Sequence, residues 1–202
     1  MQETMLTASS LAYLFSDQLA GSVPGFNRLW RYRWWNKESL ALYAAIVSLS
    51  QGQRVKLDIS KKKILPVKYV TIQSCSSEWN SDGLEPRILQ ALSNNRETGV
   101  GQLNWLILPH DKLNYRGFVR EVVEGELFNN GLLVREVYPR PVLGPKIRVR
   151  PDETGKKDLV SQVPRVRVSL DEFAKRQPEL SHRLAGDIAK SLGGPVAAGL
   201  FE

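Results

Sequence analysis

Residues 36–59 read NKESLALYAAIVSLSQGQRVKLDI, and within this one stretch the apolar period changes. Asn36 is an N-capping residue type, and Glu38 and Ser39 fall in the first turn behind it. Leu40, Tyr43, Ala44, Val47 and Leu49 then form the apolar side of a helix that Gly52 ends. From Arg54 the alternation is strict. Val55, Leu57 and Ile59 point one way and Arg54, Lys56 and Asp58 the other, the pattern of a half-buried strand. The stretch thus joins a helix to an amphipathic strand, and the order helices, strands, helix, strands, helix along the whole chain points to the α+β class.

On the N-terminal side, Leu6, Leu11, Leu14, Phe15 and Leu19 predict a helix over Thr4–Leu19, stopped at Gly21. With the helix after Asn36 it makes a helical hairpin or layer. Between the two lies Trp30-Arg-Tyr-Arg-Trp-Trp35, which holds three of the five tryptophans. On the C-terminal side the pattern predicts strands over Ile64–Gln73, Leu103–Leu108 and Leu132–Tyr138, and a helix over Leu84–Asn94. Asp111–Glu126 fits a helix that Gly117 and Gly125 weaken. Pro139, Pro141 and Pro145 mark an extended connector, and Pro151–Pro164 reads as a polar loop. Ser169 and Glu172 have the spacing of a capping box, and Leu180, Leu184, Ile188 and Leu192 give a C-terminal helix. The expectation is one domain over 1–202: a helical layer (1–52), a sheet-rich core (53–170) and a C-terminal helical segment (171–202). The sheet is mainly antiparallel, with helices packed on one face.

Two more segments share the strand pattern at Arg54–Ile59, namely Lys146-Ile-Arg-Val-Arg150 and Arg165-Val-Arg-Val-Ser-Leu170. Together the outward positions carry seven cations: Arg54, Lys56, Lys146, Arg148, Arg150, Arg165 and Arg167. Asp58 is the one acid among them. If the three strands share a sheet, like charges face each other across it, which is unfavourable without an anion. A phosphodiester backbone supplies one and releases counterions as it does so. Arginine suits that role, because its planar fork meets phosphate in pairs of hydrogen bonds. Arg31, Arg33 and Trp34 add a stacking and charge-bearing segment of the kind that grips unpaired bases. The same residues also suit a solvated sheet face or a buried aromatic hinge.

The whole-chain numbers agree. The 202 residues carry 28 Lys+Arg against 21 Asp+Glu, net +7, with ordinary apolar and charged content. By quarters the net charge is +1, +3, +3 and 0, so the excess sits between residues 51 and 150. Disordered, collagenous and disulfide-scaffold chains are excluded by composition. The N-terminal residues lack a signal-peptide pattern, and the longest apolar stretch, Ala41–Leu49, is too short for a membrane span. With Cys75 as the single cysteine, the expected setting is soluble and cytoplasmic, with no membrane partner.

No phosphate-binding loop, nucleophile elbow or metal-ligand spacing is present, so no cofactor, metal or catalytic residue is expected. The expected function is a non-enzymatic nucleic-acid-binding subunit of a larger ribonucleoprotein, on RNA or single strands. It would work beside other protein subunits. One alternative is a structural or adaptor subunit of a protein or viral assembly, using the Pro-rich connector as a docking arm. The other is a small nuclease or hydrolase built on His110, with Cys75 as a conceivable nucleophile.

Overall fold

The computed structural model describes residues 6–24, 36–61, 67–75, 83–93, 97–109, 114–139 and 146–193. In chain order these form helices α1 (Ala8–Leu14), α2 (Ser16–Leu19) and α3 (Lys37–Gln51), then strands β1 (Val55–Lys61) and β2 (Lys68–Ser74). Helix α4 (Leu84–Ser93), the short strand β3 (Thr98–Gly99), α5 (Val100–Ile107) and α6 (Tyr115–Asn129) follow. Strands β4 (Leu133–Tyr138) and β5 (Lys146–Pro151) precede α7 (Glu153–Leu159), α8 (Val163–Arg176) and α9 (Pro178–Gly193). The α+β class and the antiparallel pairing are as expected.

Helix α3 is the centre of the molecule. Asn36 caps it by accepting the Ser39 amide at 3.0 Å, and from Glu38 to Val47 every residue is buried. The sequence showed one apolar side. The structure buries Ala41, Leu42 and Ala45 as well, because α1, α6, α8, α9 and β1 surround the helix. Tyr43 ties it to the C-terminal helix: its hydroxyl lies 2.6 Å from Ser181 Oγ, and its ring meets Phe173 edge-on. One apolar cluster runs from Leu6 to Ala189 and joins all three sequence segments.

Sheet A has the order β1-β2-β3, with Val55 opposite Ser74 and Lys61 opposite Lys68. Sheet B is the separate two-stranded ribbon β4-β5, with Leu133 opposite Pro151 and Tyr138 opposite Lys146.

Several expectations are corrected. Arg165–Leu170 is not a strand but the middle of α8. That helix buries Val163, Val166, Leu170 and Phe173, spaced three, four and three residues apart, and leaves Val168 54 % exposed. Val166 and Leu170 belong to both a period-2 and a helical pattern, and only the wider window separates them. Ser169 and Glu172 therefore lie inside a helix rather than at its start, and Ser169 Oγ donates to Gln51 instead. The expected strand Leu103–Leu108 is helical up to Ile107. Val100, Leu103 and Ile107 face inward from α5, and a short apolar run carries both signatures. Pro151–Pro164 holds α7, capped by Asp152, which accepts the Gly155 amide at 2.8 Å. The expected Thr4–Leu19 helix starts at Ala8, behind the cap Thr7, and is interrupted at Phe15. Asp111–Glu126 resolves as α6 from Tyr115, capped by Asn114, and Pro178 opens α9.

Candidate nucleic-acid interface

The seven cations do not share a sheet. Arg54 sits half-buried in the turn before β1, and Lys56 is exposed on β1 opposite Gln73. Arg148 and Arg150 are exposed on β5, in the other sheet. Lys146 begins β5, and its side chain lies outside the description. Arg165 and Arg167 are exposed on α8, where Arg167 Nη2 donates to the Gln18 carbonyl at 2.6 Å. Arg31, Arg33, Trp34 and His110 lie outside the described residues. Cys75 is exposed. The single basic sheet face is thus divided among two sheets and a helix, because β1 pairs with β2, β5 with β4, and the third segment is helical.

The ribbon β4-β5 keeps the charge argument in a smaller form. Residues 133–151 carry five basic side chains, Arg135, Arg140, Lys146, Arg148 and Arg150, against the single acid Glu136, net +4 of the chain's +7. Register fixes the faces. Val134, Glu136 and Tyr138 share one side with the positions of Lys146, Arg148 and Arg150, and Arg135, Val137, Ile147 and Val149 share the other. Exposure rises along the ribbon from Leu133, which is buried, to the facing pair Val137 and Ile147, at 62 % and 60 %. Among the described residues no third strand joins it. It is an arm rooted on α6 at Leu132 and Leu133.

The arm carries its own compensating acid, which the single-strand pattern did not reveal. Glu136 accepts from Arg150 and from the Tyr138 hydroxyl. Tyr138 first, then Arg150 and Arg148, hold its carboxyl below the usual carboxylate range. At the root, the Arg135 guanidinium stacks 4.6 Å over the Phe128 ring. Arg135 and Glu136 were legible in principle. The turn signal Asn129-Asn130-Gly131 preceded their strand, but the register that sets Glu136 opposite Arg148 needs the partner strand.

A second polar cluster is wholly internal. Glu85 on α4 accepts the Ser9 amide at 2.9 Å and the Ser9 hydroxyl at 2.7 Å. Glu126 on α6 accepts the Thr7 amide at 3.1 Å and the Thr7 and Ser10 hydroxyls at 2.9 Å each. Two buried carboxylates thereby satisfy the first amides of α1 in place of water. Glu38 is buried at the start of α3, where Arg120 Nε donates to it at 2.7 Å and Arg116 Nε at 3.3 Å. These carboxyl groups are interior, and Arg116 and Arg120 neutralise Glu38. No group of three or more potential metal ligands occurs among the described residues, and none of the described helices is long and apolar enough to cross a membrane. Comparison with known protein families, with curated proteins and with solved structures gives no match to this chain.

Proposed function

We propose that the chain is a non-enzymatic nucleic-acid-binding subunit of a larger ribonucleoprotein, and that the β4-β5 arm is its gripping element. The observation that carries this is the concentration of +4 of the net +7 charge in residues 133–151, much of it on an exposed ribbon. Arg148 and Arg150 project from the same face as Tyr138, a pairing of cation and ring that suits phosphate and an unstacked base. Exposed Val137 and Ile147 on the reverse face favour single strands and loops, whose bases offer apolar surface, over the phosphate exterior of a duplex. The same two residues support the second reading, an adaptor whose arm docks on another protein.

Fluorescence anisotropy with single-stranded RNA, single-stranded DNA and duplex RNA over a salt series separates the two. About four neutralised phosphates give a log–log salt slope near −3 for a single strand. Arg148→Ala makes that slope shallower by about 0.7, whereas Lys56→Ala, in the other sheet, leaves it unchanged. Absence of binding at low salt, or a slope near zero, overturns the proposal. So does binding to anionic lipid vesicles with none to nucleic acid.

A further inference from the structure

Strand β3 covers β2 only at Thr71 and Ile72. Beyond that point α9 takes over the edge: Asp187 Oδ2 accepts the Val70 amide at 2.7 Å. A cleft of about 730 Å3 lies where β2, β3, the start of α5 and the last turns of α9 meet. That volume is in the range of small-molecule sites.

The walls limit what can occupy it. Tyr69 and Thr98 contribute hydroxyls able to donate and to accept, and Gln102 contributes an amide that does both. The Ser191 hydroxyl donates to the Ile188 carbonyl at 2.9 Å and the Thr71 hydroxyl to the Asp58 carbonyl at 3.4 Å, so these two offer a ligand lone pairs only. Charge is mixed: Glu97 and Asp187 are acids and Lys190 is the one base. Asp187 is partly buried, and desolvation raises its carboxyl above the usual range. An anionic ligand such as free phosphate meets two carboxylates against one ammonium. An apolar ligand offers nothing to the Tyr69 and Thr98 hydroxyls and the Gln102 amide that it desolvates, which is costly. A bare metal ion lacks a third acidic or imidazole ligand among the described residues. The Tyr69 ring lies along the backbone at Gly99, where a Cβ would come within 3.3 Å of it, so the glycine lets the aromatic wall close on the strand. An array of two-way hydrogen-bonding groups beside one ring matches a ligand whose own groups also donate and accept.

We propose that this cleft binds a small, neutral, hydroxyl-rich molecule through a vicinal diol, as carried by a free sugar or by the ribose of a nucleoside. This does not depend on the arm's role. The probes are D-glucose, D-ribose, adenosine and 2′-deoxyadenosine, read by ligand-observed NMR and calorimetry. Gly101→Phe is the blocking variant: it stands at the start of α5, lines the cleft, and has no heavy atom within 4 Å of a built Cβ. The expected result is millimolar binding of at least one of glucose, ribose or adenosine, weakened about tenfold or more in Gly101→Phe with the thermal midpoint retained. Preference for adenosine over 2′-deoxyadenosine assigns the diol to a nucleoside, and binding of the sugars alone assigns it to a free sugar. If Gly101→Phe does not fold, Gln102→Ala takes its place with the same expected loss. The proposal is overturned if no probe binds at millimolar concentration. It is equally overturned if binding is unchanged in the folded variants, or if adenosine and its 2′-deoxy form bind alike while the sugars do not.

Discussion

Glu85 shows how much one side chain depends on distant partners. Its position in the first turn of α4 is a local fact, but its hydrogen-bond donors come from Ser9 on α1, 76 residues away in sequence. Desolvation pushes its pKa from the ordinary 4.5 to about 7; the Ser9 hydroxyl and amide oppose that rise, and nearby Glu126 adds to it. The folded state therefore holds this proton at pH values where the unfolded chain has lost it. Stability from this group is present in full below about 4.5 and falls as pH rises through about 7. Urea midpoints at pH 5 and pH 8 should show a loss of up to about 3 kcal/mol from this group, and Glu85→Gln should remove that slope. Gly83 is a second such position. Its φ is +145°, and a Cβ there would lie 2.4 Å from Glu126 Oε2. Glu126 cannot swing away freely, because Thr7 and Ser10 hold it. Gly83→Ala should cost about 2 kcal/mol or more in chemical denaturation.

At the element scale, period and capping specify some segments and leave others compatible with both helix and strand. Helix α3 and strand β1 were legible because each has one clear period and a cap or turn at its boundary. The cap residues Asn36, Thr7, Asn114 and Asp152 all act within three residues of themselves, through contacts that local sequence encodes. The segment Arg165–Leu170 misled because two of its three apolar positions fit both periods. A pair of substitutions tests the helical assignment. Val168→Glu, at an exposed position, should change stability by no more than about 0.5 kcal/mol, whereas Val166→Glu, at 7 % exposure, should cost about 3 kcal/mol or more. A strand would have set both side chains on the same buried face, and equal costs would reject the helix. The basic pattern itself was a true property of β1 and β5. Its extension to one surface assumed a pairing that alternation within a strand cannot specify.

At the scale of the whole molecule, the core cluster from Leu6 to Ala189 runs through all three segments that the sequence suggested, and α3 is enclosed by elements from each. Thermal unfolding followed by far-ultraviolet dichroism and by calorimetry should therefore give coincident single transitions. Tyr43→Phe, which removes the link from α3 to Ser181 on α9, should lower stability by about 1 kcal/mol without splitting that transition. By itself the sequence determined the α+β class, the Asn36 cap, the amphipathic strand β1 and the uneven distribution of charge. These follow from neighbours a few residues apart, where period and capping chemistry act. Only the tertiary structure decided that the cations are divided among two sheets and a helix, that the arm carries Glu136 among its arginines, and that polar Glu38, Glu85 and Glu126 are interior groups. It also decided that α9 closes a cleft against the edge of β2. Each of these depends on which distant segments pack together, as Thr7 and Glu126 do across 119 residues. That choice is made by the burial of a shared core, not by any local pattern.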